Sequence, residues 1–210
     1  PGGYGIGSMG APARRFVDFL HEAGQSIWQI LPVGPTGYAD SPYQSCSAFA
    51  GNPYFIDLDL LVKDGLLKKS DFVKLSWGSD PKQVDYGTLY NQRFAVLRKA
   101  YQNFLRQRPV PGYETPYPDD WYRFQFLSSD WLPDYCLYMA IKEENGMVDW
   151  QKWPRALRLH EPAALEAFRA EHAEQVEFWA FVQYEFDRQW RALHAYAKSK
   201  DVAIMGDIPI

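Results

Sequence analysis

The sequence predicts an α/β protein, a parallel β/α scaffold interrupted by a long and mostly helical insertion. Two observations carry that prediction. Ser26–Leu31 and Val202–Met205 are short apolar runs, each followed by a Pro-containing loop, as the buried strands of a parallel sheet are. Between them lie about 170 residues whose apolar positions recur mainly at helical spacing, far more than the ~30 residues of a minimal βαβ unit. No internal repeat is evident.

Composition narrows the class. With 210 residues, 47% of them hydrophobic, the chain can bury one sizeable core. Its net charge of -4, with both signs interspersed, offers no basic face for a phosphate backbone, so nucleic acid is not an expected partner. No apolar run approaches the ~20 residues of a membrane span. Cys46 and Cys136 lie outside any CxxC or Cys/His cluster and read as reduced, buried thiols of a cytosolic protein. The four histidines, His21, His160, His172 and His194, are scattered on helices with no thiol or carboxylate partner in view, which argues against a metal site or a triad. Trp and Tyr are abundant, at 8 and 14. Their flat faces suit sugar rings or bases, but they are equally ordinary core residues. The chain opens at Pro1-Gly2-Gly3 without Met and closes inside a strand-like run, so a piece of a longer protein is expected.

Taken in order, Gly3–Gly10 is glycine-rich but has no strand before it, as a dinucleotide fingerprint requires. It reads as a loop feeding a helix over Ala11–Ala23, where Phe16, Val17, Leu20 and Ala23 share a face and Gly24 is placed to cap. Tyr54–Leu61 is ambiguous between strand and helix. Ser70 is a candidate cap for a new helix. Leu89–Leu105 has an amphipathic helical stripe. The four prolines between Arg108 and Pro118 predict a loop, anchored by Tyr113 and Tyr117. Helices follow at Trp121–Leu127 and Leu132–Glu144, the second with Pro133 in its first turn and Gly146 as its stop. Trp150 and Trp153 bracket a turn at Pro154. Pro162–Lys200 is two helices or one bent helix. Trp121, Trp131, Trp150, Trp153, Trp179 and Trp190 read as core or helix-packing residues.

The stretch from Trp28 to Pro53 carries the functional signal. It passes from an apolar strand into a loop dense in Gly, Pro, Ser, Asp and Tyr, and ligands of α/β folds bind beyond the carboxyl ends of strands. Within it, Trp28-Gln29-Ile30-Leu31-Pro32-Val33-Gly34-Pro35-Thr36-Gly37-Tyr38, Asp40-Ser41-Pro42-Tyr43-Gln44-Ser45 and Ala50-Gly51-Asn52-Pro53 resemble the signature of the 4-α-glucanotransferases, the amylomaltases or disproportionating enzymes of glycoside hydrolase family 77. Tyr4-Gly5-Ile6-Gly7, Asp85-Tyr86-Gly87 and Gly206-Asp207-Ile208-Pro209-Ile210 extend the resemblance over the whole chain, in order.

The resemblance implies a (β/α)8 TIM barrel, here partial, in an enzyme of the cytoplasm, or of the plastid in plants. That enzyme transfers α-1,4-glucan segments between maltodextrin chains without cofactor or metal. It places the start of the barrel, with its first helix, second strand and site loop, at 1–43. The helical insertion then occupies 44–160, and the return helix and third strand 161–210. Family chemistry is retaining, with one carboxylate attacking the anomeric carbon and a second protonating the leaving oxygen, about 5 Å apart. The Asp-His-Phe-Arg-Gly block that holds the family nucleophile is absent from these residues, so no catalytic carboxylate carries over. The 210 residues alone are expected to be inactive.

What carries over is substrate wall. Tyr43 matches a family tyrosine that stacks under the sugar beside the scissile bond; as an alternative it is a loop anchor. Asp207 matches an aspartate lining the active site by hydrogen bonds to sugar hydroxyls or to an arginine, or else it is a turn carboxylate. Asp40 and Ser41 either hydrogen-bond glucose hydroxyls or close an Asx-type turn before Pro42. Tyr38 and Tyr86 resemble residues of a second, remote glucan groove. An α-amylase-type hydrolase and a non-catalytic carbohydrate-binding protein remain as alternative readings.

Overall fold

A computed structural model describes residues 2–37, 40–80, 82–107 and 119–208. Its elements, in order, are α1 (Ala11–Glu22), β1 (Ile27–Gln29), α2 (Leu58–Lys63), α3 (Tyr86–Arg106), α4 (Asp119–Leu127), α5 (Leu132–Glu144), α6 (Arg155–Arg158), α7 (Pro162–Glu171), α8 (Ala173–Ser199) and β2 (Ala203–Met205). The chain is mostly helical, with one small sheet. It divides into two compact units, Pro1–Tyr117 with Glu185–Ile210, and Pro118–Tyr184. The proline loop expected at 108–118, with Tyr113 and Tyr117, lies outside the described residues.

In the first unit β1 and β2 pair in parallel, with Ile27 opposite Ala203, Trp28 opposite Ile204 and Gln29 opposite Met205. The ladder extends by one bond at each end, from Ala203 N–H to Ser26 C=O (2.8 Å) and from Ile30 N–H to Met205 C=O (2.9 Å). Both strands are shorter than their apolar runs, and they are not buried: Ile27 is 56% exposed and Leu31 60%. Among the described residues the sheet has only two strands. Trp28 is partly covered by Phe16 of α1, with ring centroids 5.1 Å apart.

Local chemistry sets the helix ends. Pro12 occupies the first turn of α1, where its missing N–H is harmless, and Gly24 follows the helix at φ 70°. The ambiguous Tyr54–Leu61 stretch resolves into a 3-10 turn, Pro53–Phe55, followed by α2. Asn52 caps the turn through Tyr54 N–H (3.0 Å), and Asp57 caps α2 through Leu60 N–H (3.0 Å). Asp85 caps α3 through Thr88 N–H (2.9 Å), so that helix starts three residues ahead of its apolar stripe. The helix expected after Ser70 does not form. Lys69–Asp71 is a single 3-10 turn closed by Lys68 N–H to Asp71 Oδ2 (2.8 Å), and no apolar stripe follows to extend it.

Gly51 packs against Phe186 of α8. A Cβ there would fall within the van der Waals surface of the Phe186 ring. We expect Gly51→Ala to destabilise the complete natural protein by about 1–3 kcal/mol, the range for forcing atoms into a packed site. Urea unfolding measures it, and an unchanged midpoint would contradict the packing described.

The second unit is built on α5 and the first half of α8. Tyr135, Cys136, Met139, Ala140, Ile141, Phe178, Phe181 and Val182 are buried. Trp121 of α4 meets Tyr184 edge-on at 5.3 Å, and Trp179 donates its indole N–H to Glu143 (3.3 Å). Trp121, Trp153 and Trp179 are core residues as expected, but Trp150 is 49% exposed, at the start of a three-residue 3-10 turn with no helix to carry it into the core. The stripe over Pro162–Lys200 is two helices, broken at His172, where φ -111° and ψ 30° leave the helical region. That histidine has partners after all: its Nδ1 lies 2.7 Å from Gln175 Oε1 and 3.9 Å from Glu144. The fold brings Glu144 of α5 to it, which linear spacing does not reveal.

Candidate functional site at the strand ends

Beyond β1 the chain runs out as a loop whose base is pinned, because Asn52 N–H donates to Val33 C=O (2.8 Å). Inside it, Gly37 N–H reaches Gln44 C=O (3.2 Å), Asp40 N–H reaches Gly37 C=O (3.1 Å) and Gln44 N–H reaches Ser41 C=O (3.2 Å). Serine hydroxyls close the next turn. Ser47 Oγ accepts from Phe49 and Ala50 N–H (3.2 and 3.1 Å), and Ser45 O–H donates to Ser47 C=O (2.8 Å). In this web Cys46 is exposed rather than buried, because the serine hydroxyls on either side hold the backbone in surface turns; Cys136 is buried, and neither forms a disulfide.

Tyr43 sits on this loop and is 45% exposed. Its O–H donates to Asp207 Oδ2 at 2.8 Å, across 164 residues of sequence, and Asp207 Oδ1 accepts from Ile208 N–H at 2.9 Å. The carboxylate raises the Tyr43 phenol above its ordinary range, first through the hydrogen bond, then through burial and charge. Ser41 Oγ accepts from Tyr43 N–H (3.3 Å). Tyr43, Ser41 and Asp207 therefore meet at the carboxyl ends of β1 and β2.

Asp40 and Tyr86 form a second grouping. Asp40 adopts φ 54°, and burial raises its carboxyl. Tyr86, in the first turn of α3, is half-buried on the cluster of Ile6, Tyr54 and Leu89, and burial and then the Asp40 charge raise its phenol. The same two causes lead in pushing Tyr54 up to about 12. Tyr38 lies outside the described residues.

Two features escaped the sequence reading. Arg93 is 1% exposed, and its Nη2 donates to Tyr54 and Ile56 C=O (2.5 and 2.7 Å), bracing the chain that leaves the loop. Burial brings its guanidinium down to about 10, against the pull of Asp57 and Tyr54. The available signal was its place four residues after Leu89 on a buried stripe. The second feature is an apolar cavity of about 490 Å³ beside β1, lined by Phe16, Trp28, Leu31, Phe55, Phe186 and Trp190 among others. Neither Tyr43 nor Asp207 lines it.

Among the described residues no helix is long and apolar enough to cross a membrane. None of their His, Cys, Asp and Glu side chains form a group of three or more able to hold a metal ion.

A pair of parallel strands inside a largely helical chain matches the architecture of an amylomaltase. The solved structure of amylomaltase from Streptococcus agalactiae in complex with acarbose superposes with a TM-score of 0.91 at 41% identity, over 99% of this chain and 41% of that one. The family model for 4-alpha-glucanotransferase matches residues 1–210, and the chain belongs to that family. It is 45% identical over 212 residues to the 4-alpha-glucanotransferase of Clostridium butyricum and 44% identical over 210 residues to that of Thermus thermophilus. All of this chain is covered in both cases, and it spans 41% and 40% of those relatives' lengths.

Proposed function

We propose that the complete protein transfers α-1,4-glucan segments between maltodextrin chains, and that these residues supply one wall of its glucan cleft. The observation that carries this reading is the Tyr43–Asp207 pair at the strand ends, in a chain that matches the family along its whole length. In this reading β1 and β2 are the second and third strands of a (β/α)8 barrel. Parallel pairing supports that placement.

Chemically, the wall binds and orients. The exposed Tyr43 ring lies under the sugar next to the scissile bond, where a flat apolar face tolerates ring flattening as positive charge develops. Asp40 and Ser41 face sugar hydroxyls and Asp207 lines the wall beside Tyr43, while Tyr38 and Tyr86 belong to a separate contact further along a glucan chain. The carboxylate that attacks the anomeric carbon and the acid that protonates the leaving oxygen come from outside these residues. An acceptor sugar then takes the place of water in the second displacement. The working compartment is the cytoplasm, or the plastid for a plant protein.

Incubation of the complete protein with maltotriose tests the proposal. Glucose together with maltodextrins longer than the substrate is the expected product set, and the 210 residues alone should yield neither. Shorter sugars without longer ones would replace transfer with hydrolysis.

A further inference from the structure

We infer that Asp207 is a positioning residue, one that acts on the bound sugar through Tyr43 rather than by touching the sugar itself. The inference rests on the reading of Tyr43 as substrate wall and adds a division of labour within it.

The phenol O–H of Tyr43 has one proton to give, and it gives it to Asp207 Oδ2 at 2.8 Å. Asp207 is in turn held by its own strand end, since Oδ1 accepts from Ile208 N–H at 2.9 Å. One carboxylate oxygen is thus tied to the backbone and the other to the ring. At its other end Tyr43 is held through its N–H on Ser41 Oγ at 3.3 Å. A ring 45% exposed is free to rotate when packing alone holds it. Two anchors, one at the main chain and one at the far tip of the side chain, remove that freedom before a ligand arrives.

The bond has a direction, with a chemical consequence. A phenol whose proton is committed to a carboxylate presents only lone pairs to anything else. Toward a sugar, Tyr43 Oη is then an acceptor, and a hydroxyl that meets it must donate. The carboxylate also raises the phenol's pKa, which keeps the proton on the tyrosine side and the bond charge-assisted.

A double-mutant cycle on the complete protein, read as kcat and KM for maltotriose, tests the inference. Tyr43→Phe keeps the ring and loses the tether. Asp207→Ala loses the tether's anchor. If Asp207 works through Tyr43, each variant lowers kcat/KM about tenfold, the low end for a hydrogen bond to a charged group. The double variant is then no worse than the poorer single one, to within about twofold. Asp207→Asn, which keeps an acceptor for the phenol, retains most of the activity that Asp207→Ala loses when Tyr43 is present, and changes nothing when Tyr43→Phe has already removed the tether. Should alanine disrupt folding, this asparagine pair completes the cycle without it.

Losses that multiply to about a hundredfold in the double variant overturn the inference and leave the substrate-wall reading standing, because Asp207 then meets the sugar independently. An intact kcat/KM in Tyr43→Phe together with a loss in Asp207→Ala also overturns the inference alone. If neither single variant changes kcat or KM, the tether does nothing and the inference falls, while the wall reading stands or falls separately with Tyr43→Ala, which removes the ring.

Discussion

Arg188→Met is expected to cost about 2–3 kcal/mol of folding stability at about pH 8 and markedly less at about pH 5. Glu185 is 2% exposed, and its carboxylate accepts from Arg188 Nη2 at 2.7 Å; the same guanidinium nitrogen also pairs with Asp64. Removing the arginine strands a buried carboxylate, which is worth about 3–5 kcal/mol when the site is fully closed. The lower figure applies because Arg188 is itself 31% exposed and because Glu185 can escape by taking a proton.

The pH dependence follows from that escape. Burial raises the Glu185 pKa in the folded protein even with Arg188 present, while Arg188 pulls the other way. Between its unfolded and folded pKa values Glu185 holds a proton in the folded state that it has lost in the unfolded state, so stability falls as pH rises through that window. Without Arg188 the folded value climbs further and the window widens upward. Above it the penalty is fully present; below the unfolded value it is gone. Urea unfolding at the two pH values measures the difference, and Glu185→Gln added to Arg188→Met should recover much of the loss at the higher pH. A pH-independent loss would show that the guanidinium acts by packing and not by charge.

Tyr43→Ala in the complete protein is expected to lower kcat/KM for maltotriose by about tenfold to a hundredfold. Covering an aromatic face of this size with a ligand removes apolar surface worth about 1.5–3 kcal/mol from water, and each 1.36 kcal/mol is a factor of ten. The loss should appear in kcat as well as KM, because a sugar without a fixed platform spends less time in reactive geometry. A rise in KM alone would reduce Tyr43 to a general contact that binds ground and transition states equally. Melting should barely change, since the ring is 45% exposed.

Much of the helical framework is legible because its signals are local. Pro12 and Gly24 bound α1, Pro133 opens α5, and the stripe from Leu89 to Phe104 marks α3. At Ser70 a cap signal with no apolar stripe behind it yields only a 3-10 turn. The other failures share a physical cause, which is that a distant partner decided the outcome. His172 reads as having no carboxylate partner, and only the fold sets Glu144 beside it. The apolar run Ser26–Leu31 reads as a strand buried on both faces, while among the described residues a single neighbouring strand pairs with it. At the site, Tyr43, Ser41, Asp40 and Asp207 were each legible by resemblance in the motifs that hold them. The Tyr43–Asp207 bond itself was not, because it joins positions 164 apart. Arg93 was missed for a different reason: a charged residue reads as solvent-facing unless its place on the buried stripe of α3 is weighed against its charge.

The register that sets Ile27 against Ala203 has a temporal side. About 170 residues must be made before β1 meets its neighbour, and closing a loop of that length carries an entropy cost that the strand ladder, the site contacts and the contacts of α8 with the early chain return. The unit Pro118–Tyr184 is one unbroken segment, so its contacts become available earlier on the ribosome, where chains emerge at about 5–20 residues per second. Tyr43 therefore waits many seconds, as an uncommitted aromatic on a nascent loop, for the aspartate that orients it. The loop that carries Tyr43 is among the last parts of this chain to be completed.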